Sequence, residues 1–295
     1  MHQILSLSAF NIAVLRPQDA AKYRYLSDRH AMKALSLFQP QINNLTETNC
    51  QACFLFSLVT FIQAWTSQDI TQPSTLFFIP TNLDENGEFI QWARLYRGHQ
   101  EIIRLYFVVL IGGPLRPLFE PWLTLPEDRP MPLLEEEYKH LSEFTEVWKS
   151  SVSIPDTQKE ILTNAHKDLM RIFSIFAFEP QIPKLAAVMS WFSRIVDDFL
   201  VLLEDKMPEA LLIVAYYCVA IKMQSGCVWW LTGKAEHLLR TVLDELGDQW
   251  EQWTRWPIEK VLETPLLIEK ATDVDEGGDF IGQNQKAGAS KQDVE

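Results

Sequence analysis

An all-α fold is predicted by three observations. Apolar residues recur at helical spacing along most of the 295 residues. Pro17, Pro40 and the Gly112-Gly113-Pro114 run end such stretches, Pro155 and Pro208 stand at or just before helix starts, and no strand pattern repeats. Hydrophobic residues make up 47% of the chain and charged residues 22%, an ordinary balance for a protein that buries a sizeable core. The chain reads as a single multi-helix domain over residues 1–270 followed by an acidic, disordered tail over residues 271–295.

Taken in order, Leu5, Phe10, Val14 and Leu15 belong to a first helix that stops near Pro17. Tyr25, Leu26, Met32, Leu35 and Phe38 mark a second, from about Asp19 to Phe38, ending before Pro40. Thr46 or Thr48 is placed to cap a third. Its interior, Cys50 to Trp65, is apolar almost all round and is expected at the centre of the domain. Thr75 to Pro80 reads as extended, and Asp84 to Gly87 as turn chemistry. A helix over about Glu88 to Ile111 is broken by Gly112, Gly113 and Pro114, and the proline-rich stretch to Pro132 is expected to be a long ordered loop. Further helices are expected at about Leu134–Lys149, Asp156–Phe178, Lys184–Glu204, Glu209–Met223, Trp229–Leu246 and Trp250–Leu262. Beyond Ala271 the chain has too little apolar surface to offset chain entropy.

The formal net charge is −13. Affinity for nucleic acid rests on cations that neutralise phosphates, and the densest basic stretch, Lys22 to Lys33, is interleaved with Asp28 and apolar residues. Direct nucleic-acid binding by this chain is therefore not expected. Nor is a membrane span, since the apolar run Ala210 to Ile221 is about half the roughly 20 residues required. Cys50, Cys53, Cys218 and Cys227 do not form a secreted disulfide framework, which points to a reducing compartment.

Searches for site chemistry assign little. Cys50-x-x-Cys53 lacks two further zinc ligands at matching spacing and reads as a pair of core cysteines. Asp197-Asp198 lacks a returning carboxylate, since Val201 and Leu202 stand where a metal motif needs one, so it reads as a solvated or salt-bridged helix face. The histidines are scattered: His2, His30, His99, His140, His166 and His237. The acidic run Glu135 to Glu137 suits a helix start. No catalytic or cofactor-binding residue is assigned, and neither a metal nor a cofactor is expected. The ten tryptophans include Trp191, Trp229, Trp230, Trp250, Trp253 and Trp256, a set that either fills a core or surrounds a cavity for a flat apolar ligand.

Three stretches carry a resemblance. They are Leu5 to Pro17 leading into Tyr25 to Phe38 with Asp28-Arg29-His30 and Ala34-Leu35; Gln91-Trp92 through Arg97-Gly98; and Pro208 to Tyr217 followed by Trp229-Trp230 and then Trp250 to Trp256-Pro257-Ile258-Glu259. In this order they resemble the carboxy-terminal regulatory domain of fungal zinc-cluster transcription factors of the sterol uptake control type. The resemblance implies an all-α regulatory domain, nuclear or cytoplasmic, that senses a sterol or other apolar small molecule and pairs with a second copy or with a full-length zinc-cluster factor. Arg97-Gly98 and Trp256-Pro257 are marks of that resemblance with structural roles. No basic six-cysteine segment precedes the match, so the chain is expected to be either the carboxy-terminal part of a longer regulator or a finger-less relative. The alternatives are an enzyme of fungal secondary metabolism recruited from this fold, with an aromatic apolar pocket, and a ligand-free interaction module.

Overall fold

A computed structural model describes residues 1–67, 91–125 and 132–264, with the backbone alone for residues 91–99. The expected extended stretch at 75–80, the turn at 84–87 and the tail at 271–295 lie outside the described residues. Within them the fold is all-α, with helices and no strand.

At the centre lies α11, Pro208–Lys222. Pro208 opens it, where a missing N–H costs nothing. Every residue from Ala210 to Ile221 is buried, so neighbouring helices must cover it on all sides. They are α8 (Asp156–Phe178), α10 (Asp197–Glu204), α12 (Lys234–Leu246) and α13 (Glu251–Ile258). Helix α9 (Lys184–Arg194) packs along α8. The aromatic rings interlock here: Trp191 stacks on Tyr217 at 4.2 Å between centroids, and Phe144 stacks on Tyr216 at 4.1 Å. Their polar atoms are satisfied, with Tyr217 donating to Val188 O at 2.9 Å and Tyr216 to Trp253 O at 3.0 Å.

The N-terminal half forms a second layer. Helices α1 (His2–Leu15) and α2 (Ala20–Ile42) make a hairpin over a short 3₁₀ turn at Pro17–Asp19, and both rest on α3 (Cys50–Ser67). Helix α4 (Gln91–Gly112) packs along α3, kinks at Tyr106, and turns into α5 (Arg116–Leu123). Phe61 and Trp65 at the end of α3 reach Phe192 and Trp230 and join the two layers.

Several boundaries depart from the sequence reading. Helix α2 runs through Pro40 to Ile42, because a proline in the last turn removes one hydrogen bond while Asn43 and Asn44 still bond back to Gln39 and Gln41. Part of the expected loop after Pro114 is helix α5, whose Pro117 sits in the first turn and whose Arg116 pairs with Glu120 at 3.0 Å; residues 126–131 lie outside the described ones. The stretch 134–149 divides into α6 (Glu135–Glu143) and α7 (Glu146–Lys149), and the break lets Leu141, Phe144 and Trp148 all face the core. Ile195 and Val196 are extended and separate α9 from α10, which places Asp197-Asp198 in the first turn of α10 beside the positive end of its dipole. Trp229–Leu231 is a 3₁₀ turn, and Gly233, at φ 76°, starts α12 in a left-handed conformation that favours glycine.

The buried central helix is α11 and not the third helix. Helix α3 is half covered: Leu55 is exposed, and only its ends lie deep. Among the described residues α3 is also the one single helix long and apolar enough to cross a membrane; here it is packed as one helix of the folded body, with Gln51 and Gln63 on its flanks. Asn49 fixes its start. It stands immediately before the helix, and its side-chain carbonyl accepts from Thr46 N–H at 2.8 Å and closes the turn that leads in, while the Thr46 hydroxyl pairs with Thr48.

His166 is buried, with its Nε2 2.6 Å from Leu141 O, and burial pushes its pKa down to about 4. The unfolded chain takes up that proton near pH 6.5, so stability is undiminished above pH 6.5. It falls as pH drops from about 6.5 to 4, by about 3 kcal/mol in total, and then levels off. Urea unfolding of the native chain and of His166→Gln across this window isolates the effect: the native chain loses stability faster than the variant. Parallel curves would contradict it.

Candidate functional site

The apolar cavity of the molecule lies in the N-terminal layer. It has a volume of about 450 Å³ and is walled by Met1, His2, Gln3 and Ile4 at the start of α1, by Ala34, Leu37, Phe38 and Gln41 of α2, and by Ala52, Cys53, Leu55, Phe56 and Val59 of α3, with Asn49 at one end. That is within the size range of small-molecule sites. Three helices diverge here because they are pinned together elsewhere.

The pin is a buried polar cluster. Helix α1 turns its small or polar side chains inward, with Gln3, Ser6, Ala9 and Ala13 buried at helical spacing, and α2 answers with Ser27 and Ala34. Ser6 Oγ donates to Ser27 O at 2.8 Å, a contact that requires a close approach of the two helices. Gln63 of α3 binds both of its neighbours: its Nε2 donates to Ser6 Oγ at 2.6 Å, and its Oε1 accepts from Gln3 Nε2 at 2.8 Å. One atom is left over. Gln3 Oε1 is buried and has no hydrogen-bond partner, while Gln3 itself lines the cavity. A buried acceptor without a donor costs about 1–3 kcal/mol.

Sulfur chemistry does not enter. Cys50 and Cys53 are buried free thiols, as read from the sequence, and burial raises the pKa of both, which keeps them protonated. Cys218 is wholly buried in α11 and Cys227 is exposed. Among the described residues no group of three or more histidine, cysteine or acidic side chains is placed to hold a metal ion.

The late tryptophans behave as core. Trp191 and Trp230 are buried between helices, and none of the six lines the apolar cavity. Trp256 forms part of a separate polar cleft of about 870 Å³, bounded by Glu136, Glu137, Lys184, Lys222 and Lys260 among others. Three of these five charges are in ion pairs. Lys260 reaches Glu136 at 2.7 Å and Lys222 reaches Glu236 at 2.6 Å. The Lys260 ammonium, with help from Trp256 Nε1, holds the Glu136 carboxyl below the usual range. These bridges tie α6 to the π-helical turn Glu259–Glu263 and α11 to α12, and Pro257 sits buried beside Trp256 in the last turn of α13. Trp256-Pro257 is thus a structural closure. Arg97-Gly98 falls on the α4 backbone.

Sequence reading did not find Gln3, Ser6, Ser27 or Gln63. The available signal was a fourteen-residue helix with no charged residue whose small and polar residues share one face. The scattered histidines also partly converge: His2 and His30 bring their Nδ1 atoms to 2.9 Å across the hairpin. No family profile, curated protein or solved structure matches this chain.

Replacing Gln63 by Leu strips the Gln3 amide of its acceptor and Ser6 of a donor in a buried setting. An expected loss of about 2–3 kcal/mol follows. A lower urea midpoint for Gln63→Leu checks this, and an unchanged midpoint would show that the cluster does not hold the layer.

Proposed function

We propose that the chain is a ligand-responsive helical regulatory domain of the sterol uptake control type. Its ligand is an apolar small molecule bearing a hydroxyl, held between α1, α2 and α3. The observation that carries this reading is a largely apolar cavity of about 450 Å³ with a few polar side chains, His2, Gln3, Gln41 and Asn49, in its wall. Apolar walls supply affinity without direction, and the few polar side chains among them supply orientation. A sterol-like molecule has this composition, with a rigid hydrocarbon body and a single hydroxyl.

The placement of the cavity supports a response to binding. It opens between helices joined by a few hydrogen bonds, so a ligand that satisfies Gln3 also favours one arrangement of the α1–α2 hairpin over others. The same hairpin presents large apolar side chains outward, among them Ile4, Val14, Leu15, Tyr25 and Met32, and α4 and α5 add Val108 and Leu118. A surface of this kind suits association with a second copy or with a DNA-binding regulator, which would carry the signal to gene expression in the nucleus or cytoplasm.

Binding of a fluorescent sterol with a free hydroxyl tests the reading. Saturable binding at micromolar concentration is expected. Gln3→Leu weakens it about tenfold through loss of one buried hydrogen bond, and Ala52→Trp, which fills the cavity from an exposed position, abolishes it. A sterol that does not bind, or binds all three proteins equally, would overturn the assignment.

A further inference from the structure

The outer side of the α1–α2 hairpin carries a second feature, which shares only His2 with the apolar cavity. A groove of about 680 Å³ is lined by His2, Leu26, Arg29, His30, Met32, Lys33 and Ser36. Leu26, Arg29, His30, Lys33 and Ser36 follow the helical repeat and so occupy one face of α2. No acidic residue lines it, although the chain as a whole has a net charge of −13. The hairpin is locally basic: residues 1–42 hold Arg16, Lys22, Arg24, Arg29 and Lys33 against Asp19 and Asp28. Among the described residues neither Arg29 nor Lys33 has an ion-pair partner. By contrast Lys206, Lys222, Lys260, Arg104, Arg116 and Arg194 all have one.

We infer that this groove binds a phosphoryl group. Arg29 and Lys33 stand one helical turn apart, about 6 Å between their Cβ atoms, so their cationic ends can close on one anion. The two imidazoles sit beside them. The Nδ1–Nδ1 contact of 2.9 Å makes one ring the donor and the other the acceptor, and the accepting ring then carries its proton on Nε2, free to donate to a ligand. Guanidinium, ammonium and imidazole donors together exceed what the two oxygens of a carboxylate accept, whereas a phosphoryl group offers three strong acceptor oxygens. Repulsion by the acidic remainder of the chain is damped beyond a Debye length of about 8 Å, so the local cluster governs. Leu26 and Met32 give the groove an apolar flank, which suits a phosphate joined to an organic group. That group is either a phospholipid head or a soluble phosphorylated metabolite, and the two share the recognition chemistry described here.

The test uses the full chain, with inorganic phosphate, phosphatidate-containing vesicles and phosphatidylcholine vesicles as probes. Binding is read by calorimetry and by the side-chain resonances of His2 and His30. Phosphate binding that moves both resonances, and that falls about ten- to hundredfold in Arg29→Gln/Lys33→Gln, supports a soluble source. Binding to phosphatidate vesicles alone, with the same loss, supports a lipid head. Lys139→Gln/Lys167→Gln removes equal charge from exposed positions elsewhere and is expected to change nothing. The inference is overturned if no probe binds, if both double variants lose binding equally, or if phosphatidylcholine binds as well as phosphatidate. Arg29 and Lys33 do not line the apolar cavity, so the effect of the double variant separates this inference from the sterol reading.

Discussion

The helices of the C-terminal layer are arranged around the need to cover α11. A helix with twelve consecutive buried residues has no solvent face, so it cannot exist until helices close on every side. That requirement explains the aromatic content. Large rings on α7 to α9 and α13 fill the spaces between the surrounding helices, and several of their polar atoms find partners: Trp191 Nε1 reaches Ala165 O at 3.2 Å, Trp148 Nε1 reaches Thr163 Oγ1 at 3.1 Å, and His166 reaches Leu141 O. It also explains why the Trp256-Pro257 closure is tied down by Glu136 and Lys260, residues 124 positions apart.

The N-terminal layer obeys a different rule. Its hairpin is held by serine, glutamine and alanine rather than by large apolar side chains, and those large side chains face outward. Hydrogen bonds of this kind contribute little net stability but fix geometry, because a misplaced helix leaves buried groups unpaired. Close approach at Ser6 and Ser27 leaves space near Met1 and Val59, where the helices splay. The cavity is thus a consequence of small residues at one end of the packing and larger ones at the other.

Much of this architecture was legible in the sequence. Periodicity placed α8 and α11 within a residue, because long amphipathic or uniformly apolar runs opened by proline leave few alternatives. The paired thiols of Cys50 and Cys53 were legible as core for the same reason. What escaped had no local signal. The extended Ile195-Val196 break contains neither glycine nor proline, and it lets Trp191 pack against both Phe199 and Tyr217. The choice of α11 over α3 as the central helix depends on which neighbours arrive, since both are apolar all round. Gln3 and Gln63, 60 positions apart, and His2 and His30, 28 apart, meet only through the tertiary fold. A polar residue on an otherwise apolar helix is ambiguous until its partner is seen.

The central claim is that a rigid body built on α11 carries a more loosely held hairpin whose order a ligand can change. Native-state hydrogen exchange resolved along the chain measures this directly. The account predicts that amides of 212–221 exchange only through global unfolding, while those of α1 and α2 exchange through a separate opening of lower free energy. A hydroxylated apolar ligand should then slow exchange in α1 to α3 alone. A single exchange free energy shared by the hairpin and α11 would contradict the account, as would ligand protection spread evenly over both layers.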